Sequence, residues 1–248
     1  MIDIHCHILP NADDGADSMT EALAMARAAA ESGVRKIIAT PHCNLPAMEE
    51  KHYVSYELRD RFLGLCLAVR KAGIPIEILP GAEILCTPDL PALLRDKRLL
   101  PLAGSRYLLV EFFFDESLDF LDRMLGMILG RGLIPVVAHP ERYEAVQHAP
   151  GCVEAWLEAG CVLQMNKDSL LGELGHRAEF TAHWLLRRNL IQLAASDAHH
   201  AFRRTPDLDE LRRCLSQVYS PACAELLLHT NPQRLLQNLP LLQMPSNP

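Results

Sequence analysis

The chain has 248 residues, 49% of them hydrophobic and 22% charged, with a formal net charge of −7. That length suits one α/β domain with a substantial core, and no apolar run approaches the roughly 18 residues a membrane span needs. The acidic balance, without a basic patch, argues against nucleic acid as a partner; an anionic substrate would require metal ions or local arginines to reverse the field.

The N-terminus, Met1-Ile2-Asp3-Ile4-His5, has neither a basic segment nor an apolar signal core, so a cytoplasmic protein is expected. Short apolar runs alternate with amphipathic stretches, the pattern of βα units around a parallel sheet. The first strand is predicted at Ile2–His5. Ser18 and Glu21 then make a capping box before a helix over Ala22–Ala30, stopped by Gly33. A second strand, Arg35–Thr40, precedes a helix over about Tyr53–Ala72. The third and fourth strands are predicted at Ile76–Ile84 and Tyr107–Phe113, followed by a helix over Leu118–Arg131. Ile134–His139, Cys161–Asn166 and Ile191–Ser196 complete the strands, separated by helices over Val153–Ala159 and Phe180–Arg188. Helices over Asp207–Val218 and Ala222–Leu228 come next, and Asn231-Pro232 opens a last short one. A loosely packed tail is expected from about Leu239. Seven strand–helix units fit either a barrel one strand short of the usual eight or an open doubly wound sheet.

The placement of polar residues favours the barrel. Strand one leads into His5-Cys6-His7, strand two into His42, strand three into Glu83, and strand four carries Glu111. Strand five ends in His139, strand seven delivers Asp197 and His199, and Asp14 lies in the loop after strand one. On a closed barrel these strand ends share one rim, where active sites of that architecture are found; an open sheet would spread them along an edge. Imidazoles and carboxylates together suit Mn²⁺, Fe²⁺ or Zn²⁺, and a Glu within Leu108-Leu109-Val110-Glu111-Phe112-Phe113 is costly unless paired or metal-bound. Five His and four carboxylates exceed one ion's needs and suit two or three closely spaced ions, which clamp the attacking and leaving oxygens of a phosphoryl displacement. Hydrolysis by a metal-held hydroxide follows as the reaction class. The eight cysteines form no Cys-x-x-Cys pair, and none is followed by five residues and then Arg, the loop of thiol phosphatases. They read as small core residues.

Asp3-Ile4-His5-Cys6-His7-Ile8-Leu9-Pro10, Asp13-Asp14-Gly15, Ala39-Thr40-Pro41-His42, Gly81-Ala82-Glu83, His139-Pro140-Glu141-Arg142-Tyr143 and Ser196-Asp197-Ala198-His199 resemble the polymerase-and-histidinol-phosphatase (PHP) superfamily, and within it the bacterial capsule-type protein-tyrosine phosphatases. The likeness runs from Met1 to about Leu236. It implies a distorted (β/α)7 barrel forming a single domain over residues 1–248, with a trinuclear site, manganese first and Fe, Co or Zn as alternatives. It also implies a phosphotyrosine substrate on a bacterial tyrosine kinase that governs polysaccharide export. Carried over by position, His5, His7, Glu83 and Asp197 would hold one ion. Glu83 would bridge to a second held with His42 and Glu111, and Asp14, His139 and His199 would fit the third. Arg142 and Arg204 correspond to phosphate-holding arginines, with Arg203 the competitor of Arg204. Asp14, His139 or His199 could assist the leaving group through a water. His200 reads as an exposed neighbour. One departure concerns the substrate mouth: after His42 the capsule-type enzymes continue with a polar, Gly-containing loop, where this chain has Cys43-Asn44-Leu45-Pro46-Ala47-Met48.

Three other readings compete: a small-molecule phosphatase such as a histidinol phosphatase, an amidohydrolase-type hydrolase, and a barrel that binds a kinase without catalysis. Three divalent ions would add +6 to the formal −7, so the acidic balance reads as the unloaded half of a metal centre.

Overall fold

A computed structural model describes residues 1–45, 55–96 and 99–244. Its strands are β1 (Ile2–Cys6), β2 (Lys36–Ala39), β3 (His42–Cys43), β4 (Glu77–Pro80), β5 (Glu83–Leu85), β6 (Tyr107–Glu111), β7 (Ile134–Ala138), β8 (Val162–Asn166) and β9 (Leu193–Ala195). They form two sheets in the orders β1-β2-β4 and β3-β5-β6-β7-β8-β9, and the pairings are parallel. Beyond the sheets, the Asp197 N–H donates to the His5 carbonyl at 2.9 Å and the His7 N–H to the Ala198 carbonyl at 2.8 Å, joining the end of β1 to the segment after β9.

Two of the expected strands are each broken in two. Arg35–Thr40 forms β2 and then stops at Pro41, which has no N–H for a ladder; His42 and Cys43 resume as β3 in the other sheet. The predicted Ile76–Ile84 strand divides at Pro80-Gly81. Gly81 packs so closely that a Cβ there would lie 2.6 Å from Ile38 Cγ2, so the kink needs a residue without a side chain. After both breaks, His42 and Glu83 face each other in register.

A bulge solves a second positioning problem. Asp3 pairs with Ile37 and Cys6 with Ala39, so three steps on β1 match two on β2. The extra residue lets Ile4 pack with Ile38, Leu109, Ala138 and Leu193, yet leaves His5 and His7 aimed at Glu83. Strict alternation would put Ile4 and His5 on opposite faces.

The central strands have two covered faces. Ile37, Leu108, Val110, Val137, Leu163 and Ala194 belong to the larger core with the helices. The alternate residues Tyr107, Leu109, Val136, Ala138, Val162, Leu193 and Ala195 form a second cluster that Leu102 and Leu235 complete. Continuing that second parity toward the strand ends reaches Glu111, Gln164, Asn166 and Asp197, where apolar packing gives way to the polar centre.

The helix over Val153–Ala159 falls where the spacing places it, and Met19–Glu31 carries the Ser18 cap, its Oγ accepting from the Glu21 N–H at 3.2 Å. The Tyr56–Lys71 helix starts after Ser55; Tyr53 and Val54 lie outside the described residues, as do Pro46, Ala47 and Met48. Leu118–Leu129 is shorter than expected, whereas His176–Arg187 begins four residues before Phe180, capped by backbone geometry at Gly175 rather than by a side chain. Asp209–Cys214 and Pro221–Glu225 run on as π-type turns over Leu215–Tyr219 and Leu226–Thr230, and the expected last short helix is Asn231–Leu236. Leu90–Arg95, Glu144–His148 and Lys167–Leu170 are helices too short to show an amphipathic period. From Leu239 to Met244 the chain is largely exposed but tethered: Tyr107 Oη donates to the Leu239 carbonyl at 2.6 Å, and Asn231 exchanges two hydrogen bonds with Leu242. No described helix is long and apolar enough to cross a membrane.

Candidate metal centre

The Glu83 carboxylate, 1% exposed, is the meeting point of the strand ends. His5 Nε2 lies 3.1 Å from its Oε2, and His7 Nε2 and His42 Nδ1 each lie 3.2 Å away. His139 Nε2 stands 3.0 Å from the other oxygen. Asp197 Oδ1 is 3.4 Å from both His5 Nε2 and His7 Nε2, and Glu111 Oε1 is 2.8 Å from His42 Nδ1. Asp14, with a side chain 68% exposed, closes the outer edge at 3.4 Å from His199 Nε2 and 3.5 Å from His42 Nε2.

Hydrogen bonds behind the rings decide which nitrogens face inward. His5 Nδ1 donates to Gln164 Oε1 at 2.8 Å, and the Gln164 amide is fixed by its own donation to the Met165 carbonyl. His7 Nδ1 donates to Asp13 Oδ2 at 2.7 Å, and His199 Nδ1 to the Asp197 carbonyl at 3.0 Å. With each Nδ1 committed, Nε2 of all three rings points a lone pair into the cluster. Asp13 is itself held in place: its Oδ2 also accepts the His42 N–H, and its Oδ1 accepts the Gly15 N–H. The turn fits only without a side chain at Gly15, where a Cβ would sit 2.1 Å from the His7 carbonyl oxygen.

This arrangement fits divalent ions. His5 Nε2 and His7 Nε2 lie 3.2 Å apart, facing each other and two carboxylates, and Glu83 Oε2 has no hydrogen-bond partner despite full burial. Lone pairs and carboxylate oxygens crowded this way repel unless cations lie among them. Three overlapping sets bring their ligand atoms within 4.8 Å of one another: His5, His7, Glu83 and Asp197; His42, Glu83 and Glu111; and His7, Asp14, His42 and His199. Glu83 belongs to the first two of these sets and would serve both if ions were held there. His7 has one free nitrogen and can serve only one ion.

Protons answer the same field. Burial alone would depress the imidazoles, but the charge of Glu83 outweighs it: His5 is raised, and His42, which also hydrogen-bonds Glu111, is raised to about 9. Burial likewise works against ionisation of Glu83 and Asp197, yet the charge of His5 and the surrounding donors hold both well below the usual carboxylate range. Burial and the neighbouring His7 lower His199.

Of the nine ligand candidates, the first two expected groupings are assembled. The third is rearranged. His139 lies against Glu83, beside the His42–Glu83–Glu111 set, rather than with Asp14 and His199. Its backbone is left-handed, φ 35°, which turns the ring inward off the parity of β7. Both arginines reach the centre: Arg204 Nη2 is 2.7 Å and Arg142 Nη1 3.6 Å from Asp197 Oδ2, and Arg142 lies over the Phe114 ring at 4.2 Å. Arg204 Nε is buried with no hydrogen-bond partner, an unused donor beside the site. Arg203 is exposed, and His200 pairs with Glu21 outside the cluster. Burial pushes the Cys6 thiol, which neighbours the cluster, well up, so it offers no activated nucleophile here.

Sequence reasoning placed Asp13, Gln164 and Asn166 within motifs of the resemblance but gave them no role; Asn166 Nδ2 donates to Asp197 Oδ2 at 2.5 Å. Gln164 and Asn166 carried a signal, being amides at alternate positions of an otherwise apolar strand. Asp13 carried less, since adjacent aspartates are equally eligible as ligands.

The sequence model of the family described as capsular polysaccharide synthesis, CpsB/CapC, matches residues 1–237. The tyrosine-protein phosphatase YwqE of Bacillus subtilis is 34% identical over 248 residues, covering 100% of this chain and 96% of the relative. The tyrosine-protein phosphatase CpsB of Streptococcus pneumoniae is 30% identical over 243 residues, covering 96% and 99%. A solved chain from work on YwqE and CpsB, described as unique metal-dependent tyrosine phosphatases, superposes with a TM-score of 0.90 at 34% identity, covering 100% of this chain and 99% of that one. A phosphotriesterase from Mycobacterium tuberculosis shares the fold alone, with a TM-score of 0.58 at 12% identity over 96% and 93% of the two chains.

Proposed function

The chain belongs to the capsular polysaccharide synthesis CpsB/CapC family, and from that membership and its metal centre we infer a metal-dependent protein-tyrosine phosphatase, a phosphoric monoester hydrolase. The observation that carries this reading is the convergence of imidazole lone pairs and carboxylates on Glu83, with two guanidinium groups beside them at Asp197.

In this reading three divalent ions, manganese first, are held by His5, His7, Glu83 and Asp197; by Glu83, His42, Glu111 and the adjoining His139; and by Asp14 and His199. When bound, such ions supply Lewis acidity and lower the pKa of water. The remaining work falls to side chains of the chain. Arg142, steadied on Phe114, and Arg204, with its unused Nε–H, present planar forks to phosphate oxygens and offset charge that grows in the transition state. Gln164 and Asp13 keep His5 and His7 in the tautomer the centre needs. A phenolate, with a parent pKa of about 10, leaves with little protonation. Of the three candidates for assisting it, Asp14 is the exposed one, whereas His139 is buried against Glu83.

The substrate is a phosphotyrosine protein, a bacterial tyrosine kinase of polysaccharide export, met in the cytoplasm. The two sheets are halves of one distorted (β/α)7 barrel in a single domain; the hydrogen bonds between the end of β1 and residues 197–198 and the continuation of β2 into β3 and β4 into β5 support that closure. The test is phosphate release after loading with Mn²⁺, Fe²⁺, Co²⁺ or Zn²⁺, comparing a phosphotyrosine peptide with histidinol phosphate and using His139→Ala as a control. Metal-dependent turnover of the peptide, lost in the variant, is expected. Faster turnover of histidinol phosphate, or no release with any of the ions, would overturn the reading.

A further inference from the structure

Arg204 belongs to two places at once. Its Nη2 sits on Asp197 in the metal centre, and the same residue lines a neighbouring cavity of about 660 Å³. That volume is in the range of ligand pockets. Leu171, Leu174 and Phe202 supply apolar wall, while Arg203, Glu173 and Glu210 supply charges of both signs.

The loop that carries Phe202 is tied at both ends. Lys167, 5% exposed, donates from Nζ to the Thr205 carbonyl at 2.5 Å and to the Asp207 carbonyl at 3.3 Å. At the other end of the loop, the His199 N–H donates to the Arg204 carbonyl at 3.0 Å. Between these ties Ala201 is buried, but the Phe202 ring is 91% exposed. A phenyl group left in water on a loop anchored at both ends gains free energy when something covers it.

We propose that this cavity is a subsite for the substrate polypeptide beside the phosphotyrosine, with Phe202 covering an apolar side chain of that segment. The inference rests on the phosphatase reading of the metal centre. Because Arg204 both reaches Asp197 and lines this cavity, a phosphate held by its guanidinium lies beside the cavity, within reach of the chain that carries the phosphotyrosine. A small aryl phosphate needs only the two arginines. A peptide brings apolar and charged groups together, and the cavity lining has both. The subsite thus separates protein substrates from free aryl phosphates without touching the reacting atoms.

The test compares Phe202→Ala with the unaltered metal-loaded protein on 4-nitrophenyl phosphate and on phosphotyrosine peptides whose flanking residues are Leu or Ser. The Leu-flanked peptide has the lower KM on the unaltered protein. In Phe202→Ala its KM rises roughly five- to tenfold, the scale of one exposed aromatic anchor, while kcat and all constants for 4-nitrophenyl phosphate hold. Phe202→Tyr retains most of the peptide preference. Because the ring is exposed, folding is unaffected. Equal losses on both kinds of substrate, no loss on either, or indifference to Leu against Ser would each overturn the subsite while leaving the phosphatase reading intact. Failure of the unaltered protein to release phosphate from any of these substrates would instead remove the phosphatase reading, and the subsite with it.

Discussion

In the inner half of the metal centre, Glu83, Asp197, His5 and His7 are buried, and each ring is braced from behind by Gln164 or Asp13. In the outer half, the Asp14 side chain is 68% exposed, and Arg142 and Arg204 stand partly in solvent, one leaning on Phe114 and the other on Asp197. The inner groups are over-determined: removing one leaves its neighbours as buried, like-charged or lone-pair-bearing groups with nowhere to turn. The outer groups can change partner, as a phosphate-binding rim must. On the proposed function, ion retention and phosphate recognition would therefore be separable properties of adjoining residues.

The largest effect should come from the inner half. Glu83→Ala removes the group against which His5, His7, His42 and His139 are arranged. Metal content by elemental analysis and metal-dependent phosphate release are both expected to vanish; retained stoichiometric metal would break the division between the halves. Arg204→Ala should instead keep its metal and lose about 10²–10³ in kcat/KM, the cost of removing a preorganised donor to developing charge. Loss of metal in that variant would blur the comparison from the other side.

The braces should matter less than the ligands they hold. Gln164→Ala or Asp13→Ala is expected to weaken metal binding about 10–100-fold, read from activity against free metal concentration, with activity recovering at saturation. The smallest effect is one of pH on the metal-free protein. There, despite burial, the charge of Glu83 and the hydrogen bond with Glu111 raise His42 from 6.5 to about 9. A raised folded-state pKa means its stabilisation is fully present below pH 6.5 and lost as pH rises through about 9. Urea midpoints in chelator should fall across that window, and should fall less in His42→Gln. Metal-loaded protein, where imidazoles serve as neutral ligands, should lack the decline.

Much of this was legible from residue order. Nine candidate ligands stand at or just beyond apolar strand runs, and the structure brings all nine around Glu83 and its neighbours. Short apolar runs located β1, β6, β7, β8 and β9, because strands buried on both faces read as nearly continuous apolar segments. Where the reading slipped, the cause was long-range. The breaks at Pro41 and Gly81 depend on which sheet each half joins. His139 was misgrouped because its left-handed φ of 35° reverses the direction that strand parity would assign. Asp13 and Asp14 are chemically identical in the sequence, yet one braces His7 from inside and the other faces solvent.

By itself, then, the sequence determined the residue types of the centre, their distribution over the strand ends, the parallel α/β class and the family. These follow from local hydrophobic period and from the chemical identity of side chains, which do not depend on what lies opposite. Only the tertiary structure decided which aspartate is a brace, which imidazole shares which carboxylate, that Arg204 rather than Arg203 reaches Asp197, and that Arg204 also walls a second cavity. Those are choices among chemically equivalent groups, and they are made by a bulge in β1, two strand breaks and three left-handed residues, His139, Asp197 and Arg204. Asp197, for one, is held by donating its N–H to the carbonyl of His5, at the opposite end of the chain.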